Sequence, residues 1–568
     1  MTTETAASSG TAFLPAMAIS LVKNEADLIE ASVRHNLAFV DLMVVIDNGS
    51  TDGTREILQA LRDEGLPLVV VDDPIVGHYQ SEKVSHAYRM FAPVFNPALV
   101  YLLDADEFVV ARDRAGLEAL LRAVPEGGAA LLPWRTYVPL RDYAAMDIAR
   151  DPLGLLTARR RREEPLYHKA VIRRRASDDA MLVVDQGNHA VRLRSGEAVR
   201  HVHIDEAYLA HLPVRNVEQL TAKVVNGWHA CQVRDQAQRV PGEAYQWQQL
   251  SDRILAGRPL QPAEVTDIAL NYAQRERAGR SAAADVVEDP VPARYGTIRY
   301  VHLGRHSAVA KVALAMLASR QGGTGSQVPD APQGTAIDLA PALSLLRGCS
   351  ARTVAIGGDS SSWASALRAV EREVRVVDAD DGSSPVELLI LPALRHDQCL
   401  EVVPRMRDRT PCRIVWWPAQ RRTPETVAAE LAAWRAAGWA PDLMATMTYR
   451  ALASYSAERH GAVVLVPAGD VADERAAVVR SLLIALEAAP HPWTDPAPQV
   501  LWHPLQTLHI AELGGRRETS HAGYSMAVNC KSTDHSCGTS GIPIDTRPLA
   551  SPKSEAPAQR RGWQQART

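Results

Sequence analysis

At 568 residues the chain is too long for one ordinary domain, and two or three are expected. A net charge of −4 carries no basic excess of the kind that marks a nucleic-acid binder, and no apolar run approaches the roughly 18–20 residues that span a membrane. Met1 to Gly10 lacks the basic-then-apolar order of a signal peptide, and the six cysteines (Cys231, Cys349, Cys399, Cys412, Cys530, Cys537) fall at no metal-ligand spacing, so reduced thiols in a cytoplasm are expected.

In chain order, Ala16 to Val22 reads as a strand buried on both faces, ending at Lys23-Asn24-Glu25. Leu28, Ile29, Val33 and Leu37 then recur at helical spacing. A second strand, Leu42 to Ile46, closes on Asp47-Asn48-Gly49-Ser50-Thr51-Asp52-Gly53-Thr54, an octet of turn formers and helix caps that opens a helix from Arg55 to Leu61. A third strand, Leu68 to Val71, follows. Strands alternating with helices argue a parallel sheet covered on both faces, in which ligands bind beyond the carboxyl ends of the strands. Asn24, Glu25, Asp47 and Asn48 all fall at such ends.

So does the next stretch. Val100 to Leu103 runs into Asp104-Ala105-Asp106-Glu107. A buried strand that stops in carboxylates must aim them at positive charge, and i, i+2 spacing on extended chain puts Asp104 and Asp106 on one side. Oxygen ligands favour a hard divalent cation, Mg²⁺ or Mn²⁺, of the kind that also holds substrate phosphates.

Val22-Lys23-Asn24-Glu25, Ile46 through Thr54, and Leu103-Asp104-Ala105-Asp106-Glu107-Phe108 together resemble the ordered motifs of family 2 glycosyltransferases with the GT-A fold. The resemblance is nearest to the bacterial branch whose second motif reads Asp-Asn-Gly-Ser-Thr-Asp-Gly-Thr. It continues through Tyr167 to Ile172, Gly187 to Ala190 and His211 to Gln219, covering residues 16–230. It implies that Asn24, Glu25, Asp47 and Asn48 bracket the base and ribose of a nucleotide, although many relatives carry Asp where Asn48 stands. It also implies that Asp104 and Asp106 hold Mn²⁺ or Mg²⁺ on the diphosphate, with Asp106 the more direct ligand. Lys83 is a candidate second cation near the phosphates. His211, in the late His-Leu-Pro-Val-Arg-Asn motif, is the favoured third metal ligand, and His203 the next choice among His189, His201, His203 and His211.

An inverting transfer needs a base for the acceptor hydroxyl. The Glu-Asp pair that many relatives place after the metal motif is absent, which leaves Asp185, Glu164, Glu163 and Asp205, with Asp185 preferred for its strand-end position. Trp134 to Tyr137 offers aromatic surface to an acceptor sugar. Arg159 to Arg162 reads as a solvated loop or as a contact for an anionic acceptor.

Beyond residue 230 the pattern is helical to about 315, and Trp228, Tyr245, Trp247 and Leu250 are expected to pack this extension onto the first domain. A Gly/Pro-rich linker spans 321–334. Strands are then expected at 353–356, 374–377, 386–391, 412–417, 443–449 and 462–466, with a helix near 363–370 and another opened by Thr423-Pro424 and closed at Gly438. This half resembles a Rossmann-type methyltransferase domain with Asp378 at the ribose position. Its first turn, Gly357-Gly358-Asp359-Ser360, lacks the glycine spacing for a cofactor, so a structural or acceptor-recognition role is preferred. Residues 1–15 and the polar tail, 516–568, are expected to be disordered, and Cys530, His535 and Cys537 form no expected metal site.

The expected protein is therefore α/β: a GT-A nucleotide-diphospho-sugar transferase domain (16–230), a helical extension (231–320) and a Rossmann-like domain (335–500). Its expected activity is metal-dependent, inverting transfer of a sugar from a nucleotide-diphosphate donor to a glycan or glycoconjugate acceptor in polysaccharide assembly. No nucleic acid or transmembrane segment is involved, and peripheral membrane contact stays open. The rivals are an S-adenosylmethionine-dependent methyltransferase with a glycan-binding N-terminal domain, and a non-catalytic binder of sugar nucleotides.

Overall fold

The computed structural model describes residues 13–75, 77–233, 245–255, 258–273, 282–304, 353–356, 375–378, 386–405, 413–418, 422–452 and 462–487. Strands β1 (Ala16–Val22), β2 (Leu42–Asp47), β3 (Leu68–Asp72) and β4 (Leu99–Asp104) run parallel in the order β3-β2-β1-β4. Alternate residues enter opposite cores, as period-2 geometry requires. Ala16, Ala18, Met43, Val45, Tyr101 and Leu103 pack on one face, with α1 (Ile29–Asn36), α2 (Thr54–Asp63) and, further on, α4 (Arg114–Arg122). Met17, Ile19, Val44, Ile46, Val100 and Leu102 pack on the other, with α3 (Gln80–Phe95). Both faces are dry, which is why these strands read as continuous apolar runs.

The sheet continues past β4 with reversed polarity. β5 is Glu107–Val110, β6 Ala129–Thr136, β7 Ala158–Arg160 and β8 His168–Arg173. A hairpin of β9 (Leu182–Val184) and β10 (Val191–Leu193) precedes β11 (His201–His203) and β12 (Tyr208–His211). β8 is antiparallel to β4 and β6, β12 is parallel to β6 and antiparallel to β5, and β11 flanks β6. The result is a mixed, helix-covered α/β sheet, the fold class that the motifs imply.

Register aligns the functional strand ends. Val22 pairs with Asp47, Asp47 with Asp72, and Leu21 with Asp104. One carboxyl edge therefore carries every early motif. The histidine-rich stretch, whose pattern predicts no strand, forms β11 and β12, and β12 delivers His211 beside Glu107 of β5.

Among the described residues, the remaining α-helices of this half are α5 (Ala145–Arg150), α6 (Pro152–Leu155), α7 (Val217–Val233), α8 (Tyr245–Leu255), α9 (Val265–Leu270) and α10 (Ala282–Asp285). Val138, Val214, Leu220, Val224, Ile254, Val265 and Ile268 give the extension after β12 its own core. A strap, 282–304, then returns along the first sheet: β13 (Val286–Glu288) pairs with β7, and the backbone N–H groups of Arg299 and Tyr300 donate to Glu30 at 2.9 and 2.7 Å. The arginine run is what holds it. Arg159 pairs with Asp289 at 2.5 Å, buried Arg160 donates to the Ala269 and Tyr272 carbonyls, and Arg161 donates to those of Ala284 and Val286.

A second sheet has the order β15-β14-β16-β17-β19-β18, from β14 (Thr353–Ile356), β15 (Arg375–Asp378), β16 (Leu388–Leu394), β17 (Arg413–Pro418), β18 (Trp439–Pro441) and β19 (Val463–Pro467). The first four named are parallel and the last two close it antiparallel. The helix opened by Thr423 spans Pro424–Ala436, with a reciprocal cap between Thr423 and Thr426. One expectation is corrected: 443–449 is not a strand but the start of a helix, Leu443–Leu452. Asp442 caps it by accepting from Ala445 N–H at 2.9 Å, and Leu443, Thr446 and Met447 bury one helical face. The strand lies just before it, at Trp439–Pro441. The Gly357 to Ser360 turn, the helix expected at 363–370, the linker and the tail lie outside the described residues. Among the described residues, no helix is long and apolar enough to cross a membrane.

The packing sets two stability tests. Gly53 has φ +102°, and a β-carbon there would run into the Leu303 carbonyl, whereas Gly65 has φ +95° in open space. Left-handed strain costs about 1–3 kcal/mol. Gly65→Ala should therefore lose about that much in denaturant unfolding and Gly53→Ala clearly more, the excess measuring the strap contact. His35 is buried, its Nε2–H donating to the Val109 carbonyl at 2.8 Å while Nδ1 accepts from Arg294 N–H at 3.2 Å, and burial pushes its pKa down from 6.5 to about 4. A base depressed in the folded state costs stability as pH falls from 6.5 toward 4, because the unfolded chain then binds the extra proton. His35→Gln should show a smaller fall in melting temperature across that window than the parent.

Candidate active site

The carboxyl edge of the first sheet opens into a cleft of about 240 Å³. Its floor is built by hydrogen bonds that lock the first two motifs together. Asn24 N–H donates to Ser50 Oγ, Glu25 N–H to Thr54 Oγ1 and Ala26 N–H to Asp52 Oδ2, at 2.9–3.0 Å, while Asn24 Oδ1 accepts from Thr51 N–H at 2.8 Å. Asn24 sits at φ 57°, a conformation asparagine tolerates better than most residues. The octet's hydroxyls and Asp52 are thus spent on shaping the 22–26 loop.

Asn48 lies where many relatives carry Asp, and the geometry accounts for it. Its amide donates to Asp73 Oδ2 at 2.7 Å and to the Ile75 carbonyl at 2.5 Å, and its oxygen accepts from Lys23 Nζ at 3.3 Å. A carboxylate here would face Asp73 directly. Lys83 reaches the same knot, pairing with Asp73 at 2.6 Å with both side chains buried. Asp47 lies beneath the cleft, outside its lining; burial pushes its carboxyl up to about 6 against the pull of Arg55.

The Asp-x-Asp segment is held by cations. Asp104 accepts from Lys169 Nζ at 2.5 Å on one oxygen and from Gln80 and Asn188 amides at 3.0 and 3.1 Å on the other. Asp106 Oδ2 accepts from Lys223 Nζ at 2.6 Å, and burial, which alone would raise its pKa, is outweighed by Lys223 together with the neighbouring His211 and Arg215, so the carboxyl is held below its ordinary range. Glu107 latches the turn: Oε2 accepts from Asp104 N–H at 2.8 Å and Oε1 lies 3.3 Å from Lys169, while burial pushes its pKa up to about 8. Lys169 also sits 5.2 Å from the Trp134 ring centroid.

His211 Nε2 stands 3.7 Å from Asp106 Oδ2, and burial depresses the imidazole to about 3, so it is neutral and available as a ligand. Its ring stacks on Trp134 at 4.1 Å, and its buried Nδ1 has no hydrogen-bond partner among the described residues. Of the four histidines in that stretch, only His211 lines the cleft. His189 bonds the His168 carbonyl, His201 accepts from Val191 N–H, and His203 bonds His168.

Helix α7 supplies a wall that sequence reasoning missed. Lys223, Asn226, Gly227 and Ala230 line the cleft at helical spacing, and a β-carbon on Gly227 would strike the Trp247 ring. Trp247 and Tyr272 bring the helical extension into the cleft as well. Arg215, also unassigned from sequence, is fully buried and ties the late motif to the first: Nε and Nη2 bind Asp27 at 2.7 and 2.9 Å, Nη2 binds Glu25 at 2.5 Å, and Nη1 donates to the Leu212 carbonyl. Burial pushes Glu25 up to about 7 despite Arg215.

Asn24, Glu25, Asn48, Lys83, Asp104, Asp106 and His211 are thus gathered around one cleft. Asp185 and Glu164 are not among its lining residues. Asp185 pairs with Arg192 at 3.0 Å at the surface, and Glu164 is exposed before a cis Pro165. Glu163 accepts from Thr136 N–H at 2.5 Å, and Asp205 is exposed. Of Trp134 to Tyr137, only Trp134 faces the cleft; Arg135 lies over Tyr208, and Tyr137 donates to the Asp289 carbonyl.

The donor set suits a hard divalent ion in kind, since two carboxylates and an imidazole converge here. Yet among the described residues no three His, Cys, Asp or Glu side chains are arranged to enclose one. An ion of this class that keeps its waters needs only one or two carboxylates plus substrate phosphates. The side chains fit that second mode.

No protein-family model and no curated protein matches the chain. Among solved structures, it is similar to a mannosyltransferase from Pyrobaculum calidifontis in complex with GDP-Man and Mn²⁺, at 18% identity and TM-score 0.23, covering 48% of this chain and 78% of that one. It is also similar to a putative glucose-1-phosphate thymidylyltransferase from Bacillus anthracis (8% identity, TM-score 0.18, 45% and 84% covered) and to a mannose-1-phosphate geranyltransferase from Thermus thermophilus (12% identity, TM-score 0.18, 47% and 72% covered). At such TM-scores, function rests on the geometry of the cleft.

Proposed function

We propose that the protein is a nucleotide-sugar-dependent glycosyltransferase that binds the donor's diphosphate at the carboxyl edge of β1, β2 and β4. The observation that carries this reading is the convergence of three strand ends, a neutral imidazole and the cleft-lining lysines Lys23, Lys83 and Lys223 on one cleft. Acids alone would suit a cation, and lysines alone an anion. Both together suit a polyanion that arrives with a metal.

In this reading Val22 to Glu25 and Asn48 bracket the nucleoside. Asp106 and His211 would hold Mn²⁺ or Mg²⁺, which when bound offsets the charge on the leaving diphosphate. Asp104, fixed by Lys169, Gln80 and Asn188, orients the turn that carries Asp106. Trp134, edged by His189 and stacked on His211, offers an aromatic face to the acceptor side. Inversion, a hexose donor and a glycan acceptor belong to the same proposal. Asp185 and Glu164 carry no role in it, because neither lines the cleft.

A calorimetric screen of nucleoside diphosphates and their sugar conjugates with Mn²⁺ is expected to find one base that binds. Asp106→Asn, compared in protein that circular dichroism shows to be folded, should weaken that binding at least about tenfold, near 1.4 kcal/mol. Absence of binding to every nucleotide would sink the reading, as would binding unchanged in Asp106→Asn.

We also propose that the second sheet, although it buries Ile75 and Tyr79 of the first half, takes no part in the chemistry. A chain ending at residue 325 should then be soluble and keep donor binding and donor hydrolysis. Loss of binding in a folded, truncated protein would show instead that the second sheet completes the donor site.

A further inference from the structure

The two acids of the Asp-x-Asp segment are neutralised in different ways. Asp104 is saturated: three donors occupy its two oxygens, and its ammonium partner, Lys169, has a side chain only 1% exposed, bound also to Glu107. That cation has no room to leave. Asp106 instead takes Lys223, whose side chain is 18% exposed, projects from α7 and lines the cleft. Its Nζ lies 5.8 Å from the ring centroid of Tyr272, which also lines the cleft.

An ammonium 2.6 Å from Asp106 Oδ2 stands where a cation bound to that oxygen would be. His211 Nε2 lies 3.7 Å from the same oxygen. A divalent ion arriving alone must therefore expel Lys223 into a cleft that offers it no comparable anion, because Glu25 is engaged by Arg215, Asp73 by Lys83 and Asp104 by Lys169. Leaving a buried charge without a partner is costly.

We propose that Lys223 is a displaceable resident counter-ion of Asp106: it fills the cation position in the ligand-free protein, and a divalent ion gains Asp106 only together with a nucleotide diphosphate, which gives the ammonium a new anionic partner. The second half of this rests on the nucleotide-sugar reading above; the first half does not. No covalent step is involved. Lys223 changes partner from carboxylate to phosphate, and the ion takes the carboxylate it vacates. The lysine thus couples metal and donor binding and keeps the empty cleft from being a free-standing metal site.

The experiment uses the full chain and Mn²⁺ alone, with free ion read by electron paramagnetic resonance. Lys223→Met should bind Mn²⁺ about tenfold more tightly than the parent. Lys223→Arg, which keeps the cation, should bind no more tightly than the parent, and the gain in Lys223→Met should vanish in the Lys223→Met/Asp106→Asn double variant. A folded Lys223→Met protein with unchanged Mn²⁺ affinity overturns the proposal. A second measurement needs no variant: in the parent, Mn²⁺ affinity should rise about tenfold or more with saturating UDP or GDP, whichever binds, after correction for Mn²⁺ held by the nucleotide itself. Equal affinity with and without the bound nucleotide overturns the coupling. Should no nucleoside diphosphate bind, the nucleotide reading and the coupling fall together, and the metal-only comparison of Lys223→Met with the parent still decides the counter-ion role.

Discussion

The balance of buried charge at one sheet edge is the constraint on which the rest of the molecule depends. Asp73, Asp104, Asp106, Glu25 and Asp27 are met there by Lys83, Lys169, Lys223 and Arg215. Removing one member of such a pair leaves its partner buried and unpaired, typically at about 3–5 kcal/mol. Each cation comes from a different part of the chain: Lys83 from α3, Lys169 from β8, Lys223 from α7 and Arg215 from the turn after β12. The pairing therefore holds distant segments against the same edge, and the topology around the cleft follows from which segment brings which charge.

Much of this edge is legible in the sequence. Apolar runs bounded by turn formers locate the four parallel strands, and the acids at their ends locate the edge, because a doubly covered sheet leaves its termini as the natural place for charge. The partners are what stays hidden. Lys223 looks like any lysine on a helix until α7 is seen to turn Asn226, Gly227 and Ala230 toward the same cleft; a glycine inside that helix is the one available signal. Arg215 lies within a recognised motif, but nothing in local spacing says that it reaches back to Glu25 and Asp27. The search for a base fails for a related reason: Asp185 does end a strand, but β9 belongs to the small hairpin packed on α3, not to the edge that carries the cleft.

Two ambiguities of pattern are resolved by packing. The arginine run has a solvent reading and a ligand reading, and is neither in the main: Arg159, Arg160 and Arg161 fasten the 282–304 strap and the end of α9. Of the three, Arg160 also binds the carbonyl of Tyr272, a residue of the cleft lining. The segment from Leu443 to Tyr449 is apolar enough for a strand, but Asp442 supplies a cap and the buried positions fall three and four apart. Short apolar runs do not distinguish strand from helix by hydropathy, and a cap decides it.

The Asn48 side of the cleft also has a second anchor. Asn48 and Lys83 both bind the Ile75 carbonyl, and the Ile75 and Tyr79 side chains, fully or nearly fully buried, share a core with Ala355, Leu389, Trp416 and Trp434 of the second sheet and its helices. Asp72, at the end of β3, pairs with Arg475 at 2.6 Å. The 72–79 segment is therefore gripped on one side by polar contacts facing the cleft and on the other by apolar burial. A buried side chain of this kind contributes roughly 1.5–3 kcal/mol, enough to bias the position of the chain around it. The segment between β3 and α3 is thus fixed on both of its sides, by Asn48 and Lys83 at the Ile75 carbonyl and by the core that takes the Ile75 and Tyr79 side chains.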